Sequence, residues 1–203
     1  MLTLVANFKG GTGKSTVVFN LAVWLMAQGR TVKVYDLDPQ RTLSDAAQVR
    51  AELGYEPALD IAHSLPARAP RAEGLIDVGV SDGDALHAAI RAAQRIVVPL
   101  SPSQADIWAT QHFLDIVAAE RKGKRRIPVL AFVNRADPHP RSREFVETVA
   151  ALNLLPGIEP IKPKLIQRLA FRRSFSEGLA AFELEPGSKA AAELSKLAKA
   201  LYE

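Results

Sequence analysis

The chain has 203 residues, enough to bury one sizeable core in a single large domain. It has no cysteine, which excludes disulfides and thiolate metal sites, and no apolar run approaches the roughly 20 residues that span a bilayer. With 26 Lys and Arg against 22 Asp and Glu the net charge is only +4, so an anionic partner has to be met by local clusters of cations.

The N-terminus enters an apolar run, Leu2 to Ala6, without a signal-peptide pattern, so a cytoplasmic protein is expected. The run reads as a buried strand. FKGGTGKST, Phe8 to Thr16, comes next. Val17, Val18, Leu21, Ala22, Leu25 and Met26 then recur as one face of a helix that stops near Gly29. Strand, Gly-rich turn and helix in that order are the context of a phosphate-binding loop. Gly10, Gly11 and Gly13 let backbone N–H groups curl around an anion, and the helix start adds its free N–H groups and positive dipole end. Lys14 is placed to reach the β- and γ-phosphates of a nucleotide, and the Ser15 hydroxyl to ligate Mg²⁺. One position departs from the pattern G-x-x-x-x-G-K-[ST]. Phe8 stands where its first glycine falls, and Lys9 follows, five residues before Lys14.

Thr31 to Tyr35 reads as a second strand and runs into DLDPQ, Asp36 to Gln40. Strands alternating with helices predict a parallel sheet covered on both faces. Right-handed crossovers put the loops after the first two strands on the same edge. Asp38 then meets the phosphate loop, where a carboxylate can orient or deprotonate water. A strand-end Asp-Pro turn is the plainer alternative. Thr42 to Leu53 reads as a helix and Ala58 to Ile61 as a short strand, followed by a connection through Pro66, Arg68, Pro70 and Arg71. Leu75 to Val78 is the next strand, with Asp77 near its carboxyl end. Phosphate-loop enzymes hold Mg²⁺ from such a position, although a strand-end aspartate needs no such role.

Asp82 to Gln94 has helical periodicity, Ile96 to Leu100 reads as a buried strand, and Ser103 is placed to cap a helix reaching Glu120. Asp106 falls in its first turn, where the helix dipole favours an acid. RKGKRR, Arg121 to Arg126, carries five positive charges in six residues. It suits nucleic-acid phosphates or a solvated loop. Pro128 to Val133 is a strand ending at Asn134-Arg135. Arg141 to Leu152 fits a helix, and Leu154 to Ile161 holds the last short strand. A helix from Lys164 would put Lys164, Arg168 and Arg172 on one face with Arg173 beside them, unless some of these pair with Glu177, Glu183 or Glu185. Ser188 is placed to cap a final amphipathic helix whose Leu194, Leu197 and Leu201 dock on the core.

KGGTGKST, with its two lysines, and DLDPQ resemble the loops of the ParA/MinD family of ATPases. VVPLSPSQAD and the closing stretch SEGLAAFELEPGSKAAAELSKLAKAL are similar to further segments of that family, so the resemblance spans nearly the whole chain. It departs at Gly79-Val80, where the family often has Thr-Pro-Pro. No length precedes the phosphate loop for a helix-turn-helix domain, as in the short ParA proteins. The resemblance implies an α/β fold, a P-loop NTPase built as one domain over residues 1–203 around a mostly parallel, twisted sheet with helices on both faces.

It also implies a site. ATP would contact Lys9, Gly10, Gly11, Thr12, Gly13, Lys14, Ser15 and Thr16, with Asn134 at the adenine. Mg²⁺ would lie by Ser15, Asp36 and Asp77. Hydrolysis would need Lys9, Lys14 and Asp38, with Lys9 crossing the interface of an ATP-sandwich homodimer to the partner's nucleotide. Asp106 would lie near that face. Basic residues of the C-terminal half, here Arg168, Arg172 and Arg173, would bind DNA without sequence preference, attaching the protein to the nucleoid. A cargo-bound adaptor protein would stimulate otherwise weak hydrolysis. The cargo would be a plasmid, a chromosome, a chemoreceptor cluster or a carboxysome, and the sequence does not select among them. The lack of cysteine disfavours the iron–sulfur relatives. The lack of an amphipathic segment after the last helix disfavours a MinD-type membrane role. The alternatives are an ATP-dependent ligase of the dethiobiotin-synthetase kind, for which no second constellation is visible, and a binding module without hydrolysis, which Asp38 argues against.

Overall fold

Apolar runs too short for core helices alternate with stretches of helical period, and the chain folds as that alternation requires. The computed structural model describes residues 1–68, 70–139 and 142–203. Seven strands form one sheet: β1 (Leu2–Val5), β2 (Val32–Asp36), β3 (Ile61–Ala62), β4 (Glu73–Asp77), β5 (Arg95–Leu100), β6 (Val129–Val133) and β7 (Glu159–Pro160). Their order is β3-β2-β4-β1-β5-β6-β7 and every pairing is parallel. Parallel pairing needs crossovers, and helices supply five of the six: α1 (Lys14–Ala27), α2 (Thr42–Glu52), α3 (Gly83–Ala92), α4 (Gln104–Glu120) and α5 (Arg143–Leu154), with no helix among the described residues between β3 and β4. The chain closes with α6 (Leu169–Ser176), α7 (Ala181–Leu184) and α8 (Lys189–Tyr202).

Alternation along the strands divides the core between the two faces. Leu2, Leu4, Ile96, Val98 and Leu100 pack with Leu86, Ile90, Phe113 and Leu114 of α3 and α4 on one face. Val5, Leu75, Val97 and Phe132 pack with Leu21, Leu25, Leu194 and Leu197 of α1 and α8 on the other. β1 sits between β4 and β5, so the strand order reverses beside it, which is where open α/β sheets form their ligand crevice.

Two sequence expectations change. The helix expected from Lys164 begins only at Leu169, and Arg168 is an extended N-cap. The backbone before it is already committed to the sheet edge. Leu165 N–H donates to Val133 O at 3.1 Å, and Gln167 N–H to Ala136 O at 2.9 Å. Lys164, Arg168 and Arg172 thus form no helical stripe. The third strand is Ile61–Ala62, shifted from Ala58 to Ile61 by its pairing with Val34 and Tyr35. The start expected at Arg141 for the fifth helix lies outside the described residues. Ser188 caps α8 as anticipated, accepting from Ala191 N–H at 3.1 Å.

Candidate nucleotide site

Gly11 and Gly13 adopt left-handed conformations, φ 74° and 86°, that side chains disfavour. They curl the loop after β1 into the N-terminus of α1. Lys14 is buried within that curl, its ammonium 3.4 Å from the Lys9 carbonyl of the same loop. Burial lowers its pKa, against the opposing pull of Asp77 and Asp38. A buried cation with only a weak internal partner is suited to receive phosphate oxygens.

Asp77, at the end of β4, is fully buried, and neither carboxylate oxygen accepts a well-aligned hydrogen bond. Burial pushes its pKa up to about 7. The nearby Ser15 hydroxyl counters part of that shift, Asp36 adds to it, and Lys14 opposes it. An unpartnered buried carboxylate is costly unless something binds it. Beside the Ser15 hydroxyl it fits an oxygen-seeking, aquated Mg²⁺. Asp36 plays a different part. One oxygen accepts Asp38 N–H at 3.2 Å, and the other accepts the Ser44 N–H at 3.1 Å and hydroxyl at 2.5 Å. It pins the DLDPQ loop to the start of α2.

Asp38 lies over Gly79. A Cβ at Gly79 would come within 2.7 Å of Asp38 Oδ1 and 2.9 Å of Cγ. The glycine that departs from the family pattern therefore admits the Asp38 carboxylate to the mouth of β4. Gln40 N–H also donates to Asp38 Oδ1, at 3.0 Å.

Lys9 points out of the phosphate loop. Its ammonium meets Asp106 Oδ2 at 2.5 Å. Asp106 is 1% exposed and also accepts from Ser101 N–H and the Ser103 hydroxyl, so it is more than a first-turn helix acid. Nothing in the sequence near Lys9 signals this contact, since Asp106 comes from the first turn of α4.

Asn134 is buried and donates its amide to Thr12 O at 2.7 Å. The same nitrogen lies 2.6 Å from where a Gly13 Cβ would stand. It clamps the phosphate loop from outside and lines a cavity of about 370 Å³ with Gly13, Thr16, Arg135, Gln167 and Leu169. Asn20 was missed in the sequence. It donates to Thr16 O at 2.9 Å and accepts from Ala181 N–H at 2.8 Å, tying the first turn of α1 to α7.

The three arginines proposed for nucleic acid differ. Arg168 is held by Glu193 at 2.6 Å, which raises its pKa, and Arg173 meets Glu177 at 3.3 Å. Arg172 is exposed and has no ion pair among the described residues.

A sequence profile of the CobQ/CobB/MinD/ParA nucleotide binding domain matches residues 3–181. The maintenance of carboxysome distribution protein A of Halothiobacillus neapolitanus is 26% identical over 202 residues, covering 93% of this chain and 90% of the relative. Protein ParA of Rhizobium radiobacter is 29% identical over 205 residues, covering 94% and 90%. The septum site-determining protein MinD of Pyrococcus horikoshii, complexed with Mg-ADP, shares the fold. Its TM-score is 0.75 over 100% of this chain and 96% of that one, at 20% identity. The chain belongs to the CobQ/CobB/MinD/ParA nucleotide-binding family, as an ATPase of its ParA/MinD branch.

Proposed function

We propose that this ATPase positions or partitions cargo by a nucleotide-driven cycle of dimerisation and DNA attachment. ATP lies in the loop of Lys9 to Thr16, with its base in the cavity bounded by Asn134. Lys14 offsets phosphate charge. Ser15 and Asp77 would hold Mg²⁺, which would neutralise phosphate charge on the nucleotide, with Asp36 supporting the loop beside it. Asp38, seated over Gly79, orients the attacking water for in-line displacement at the γ-phosphate.

Lys9 carries the reading. A second lysine in the phosphate loop contributes nothing to that loop's own curl. It leaves on the outer side, 41% exposed, and rests on Asp106. In the ATP state it exchanges Asp106 for the nucleotide of a second copy, closing a homodimer. Two copies then present their cations together, and bivalent attachment to DNA far exceeds monovalent attachment. Arg172 and Arg173 are on this surface, while Arg168 contributes less because Glu193 neutralises it. A cargo-bound adaptor speeds hydrolysis, the dimer opens, and the protein leaves the nucleoid. Its place in this cycle is the cytoplasm, on the nucleoid. One relative over most of its length is a carboxysome-distribution protein, which supports a protein assembly as one cargo class, and a replicon is the other.

The test is binding to arbitrary-sequence duplex DNA with ADP, ATP and a slowly hydrolysed analogue, for wild type and Lys9→Ala. The reading expects salt-sensitive binding with ATP that Lys9→Ala loses. DNA binding indifferent to the nucleotide, or no binding in any state, contradicts it.

A further inference from the structure

The positive charge of this chain is concentrated in one place. Arg121, Lys122, Lys124, Arg125 and Arg126 follow α4 with no acid among them. Without these five cations the chain would hold 21 Lys and Arg against 22 Asp and Glu. The turn is the densest run of cations in the chain, five in six residues.

The turn is built and held. Gly123 takes the left-handed conformation, φ 74°, that reverses the chain. Arg121 folds inward and staples the turn to the end of α3. Its guanidinium donates to Arg91 O at 3.1 Å, Ala93 O at 3.4 Å and Arg125 O at 2.8 Å. The nearest acid in sequence, Glu120, is already taken by Arg91 and His87, each at 2.8 Å, and these contacts hold its pKa below the usual carboxylate range. Lys122, Lys124, Arg125 and Arg126 are left exposed, with no ion pair among the described residues. The other basic candidates are largely spent. Arg168 is on Glu193, Arg173 on Glu177, and the Lys164 ammonium lies 3.7 Å from the Phe145 ring centroid.

We infer that the Lys122–Arg126 turn is the chain's principal contact with the phosphate backbone of duplex DNA. Four free cations on a rigid turn lose little conformational entropy on meeting a line of phosphates, and each contact releases a condensed counterion. The inference rests on the proposed reading that the protein binds duplex DNA, and it ranks the turn above the α6 arginines in that contact. The turn precedes β6, at the amino end of the sheet, whereas the phosphate loop, Asp38 and Asp77 lie at the carboxyl end. A strand's length, about 17 Å, separates the two edges. Nucleotide therefore does not reshape this contact directly. It governs DNA binding by pairing two turns in one dimer.

The test uses the full chain with MgATP analogue and a random-sequence duplex, titrated across salt. Wild type is compared with Lys122→Gln/Lys124→Gln/Arg125→Gln/Arg126→Gln and with Arg172→Gln/Arg173→Gln, and Arg121 is left intact. Melting temperature and nucleotide-dependent sedimentation check that the turn variant folds and dimerises. The turn variant should lose duplex binding at least tenfold near 0.1 M salt. The slope of log affinity against log salt should flatten by about 1 for each phosphate contact removed. The α6 variant should lose clearly less, and a loss there as large as that of the turn variant would overturn the assignment. If wild type binds and the turn variant binds equally well, the turn assignment is wrong and the proposed function stands. If wild type binds no duplex but binds anionic phosphatidylserine vesicles through the turn, or binds neither, both fail.

Discussion

Lys9 and Asp106 stand 97 residues apart in sequence and meet at 2.5 Å, the lysine half exposed and the aspartate buried. The pair joins the phosphate loop to the start of α4. In the proposed dimer Lys9 would leave that buried carboxylate behind, a cost against closing. The Lys9→Ala variant leaves Asp106 charged and buried, with only Ser101 N–H and the Ser103 hydroxyl as partners. Urea unfolding of the nucleotide-free protein should show Lys9→Ala less stable by about 1 kcal/mol, discounted for the exposure of the lysine. Adding Asp106→Asn to Lys9→Ala should recover most of that loss. Additive losses in the double mutant would mean the contact has no energetic coupling.

Gly79 holds the place of the Asp38 carboxylate. A methyl group there would meet Oδ1 at 2.7 Å and push the carboxylate away from the mouth of β4. Gly79→Ala should lower kcat at least tenfold, a rise of about 1.4 kcal/mol in the barrier, while ATP affinity stays within twofold. Unchanged turnover in Gly79→Ala would separate Asp38 placement from hydrolysis.

Asp77 sets a pH dependence in the metal-free protein. Burial raises its pKa to about 7 from an ordinary 3.8, so the folded state prefers the protonated acid. The stabilising contribution is complete below about pH 4 and is lost as pH rises through 7. In EDTA, wild type should lose at most about 4 kcal/mol between pH 4 and pH 8 from this group. Asp77→Asn should lack that component, giving a higher melting temperature than wild type at pH 8. Stability curves that stay parallel from pH 4 to pH 8 would show that the buried carboxyl does not titrate there.

Arg50 is fully buried and binds Glu183 at 2.8 and 2.9 Å, as well as the carbonyls of Glu56, Pro57 and Gly178. It ties α2 to the short α7, which also receives the Asn20 bond from α1. Arg50→Ala strands a carboxylate and three carbonyls, and should cost about 3–5 kcal/mol in denaturant unfolding. A loss below 1 kcal/mol would mean water replaces the guanidinium.

The phosphate loop and DLDPQ were legible because their function depends on neighbours in sequence. The strands were legible for a similar reason. A parallel strand buried on both faces needs a run such as Ile96 to Leu100, all buried here. What failed depended on distant packing. Lys164, Arg168 and Arg172 have helical spacing, but Leu165 to Gln167 had already bonded along Val133 and Ala136. Lys9 was recognised as the distinguishing residue, yet its intrachain partner could not be read without the fold. Gly79 registered only as a departure from a pattern, and its reason is the Asp38 carboxylate above it. Asp36, expected beside the metal, lies near Asp77 and also accepts from Asp38 and Ser44, partners that the sequence did not show.

The most direct measurement is sedimentation velocity with a slowly hydrolysed MgATP analogue, for wild type, Lys9→Ala and Asp106→Asn. Asn keeps an acceptor for Ser101 N–H but removes the charge that holds Lys9. The account predicts monomers without nucleotide, wild-type dimers with it and monomeric Lys9→Ala. It predicts Asp106→Asn dimers at several-fold lower protein concentration than wild type, as expected for releasing a half-exposed ion pair of about 1 kcal/mol. If wild type stays monomeric, or Lys9→Ala dimerises like wild type, the exchange of Asp106 for a second copy's nucleotide does not occur.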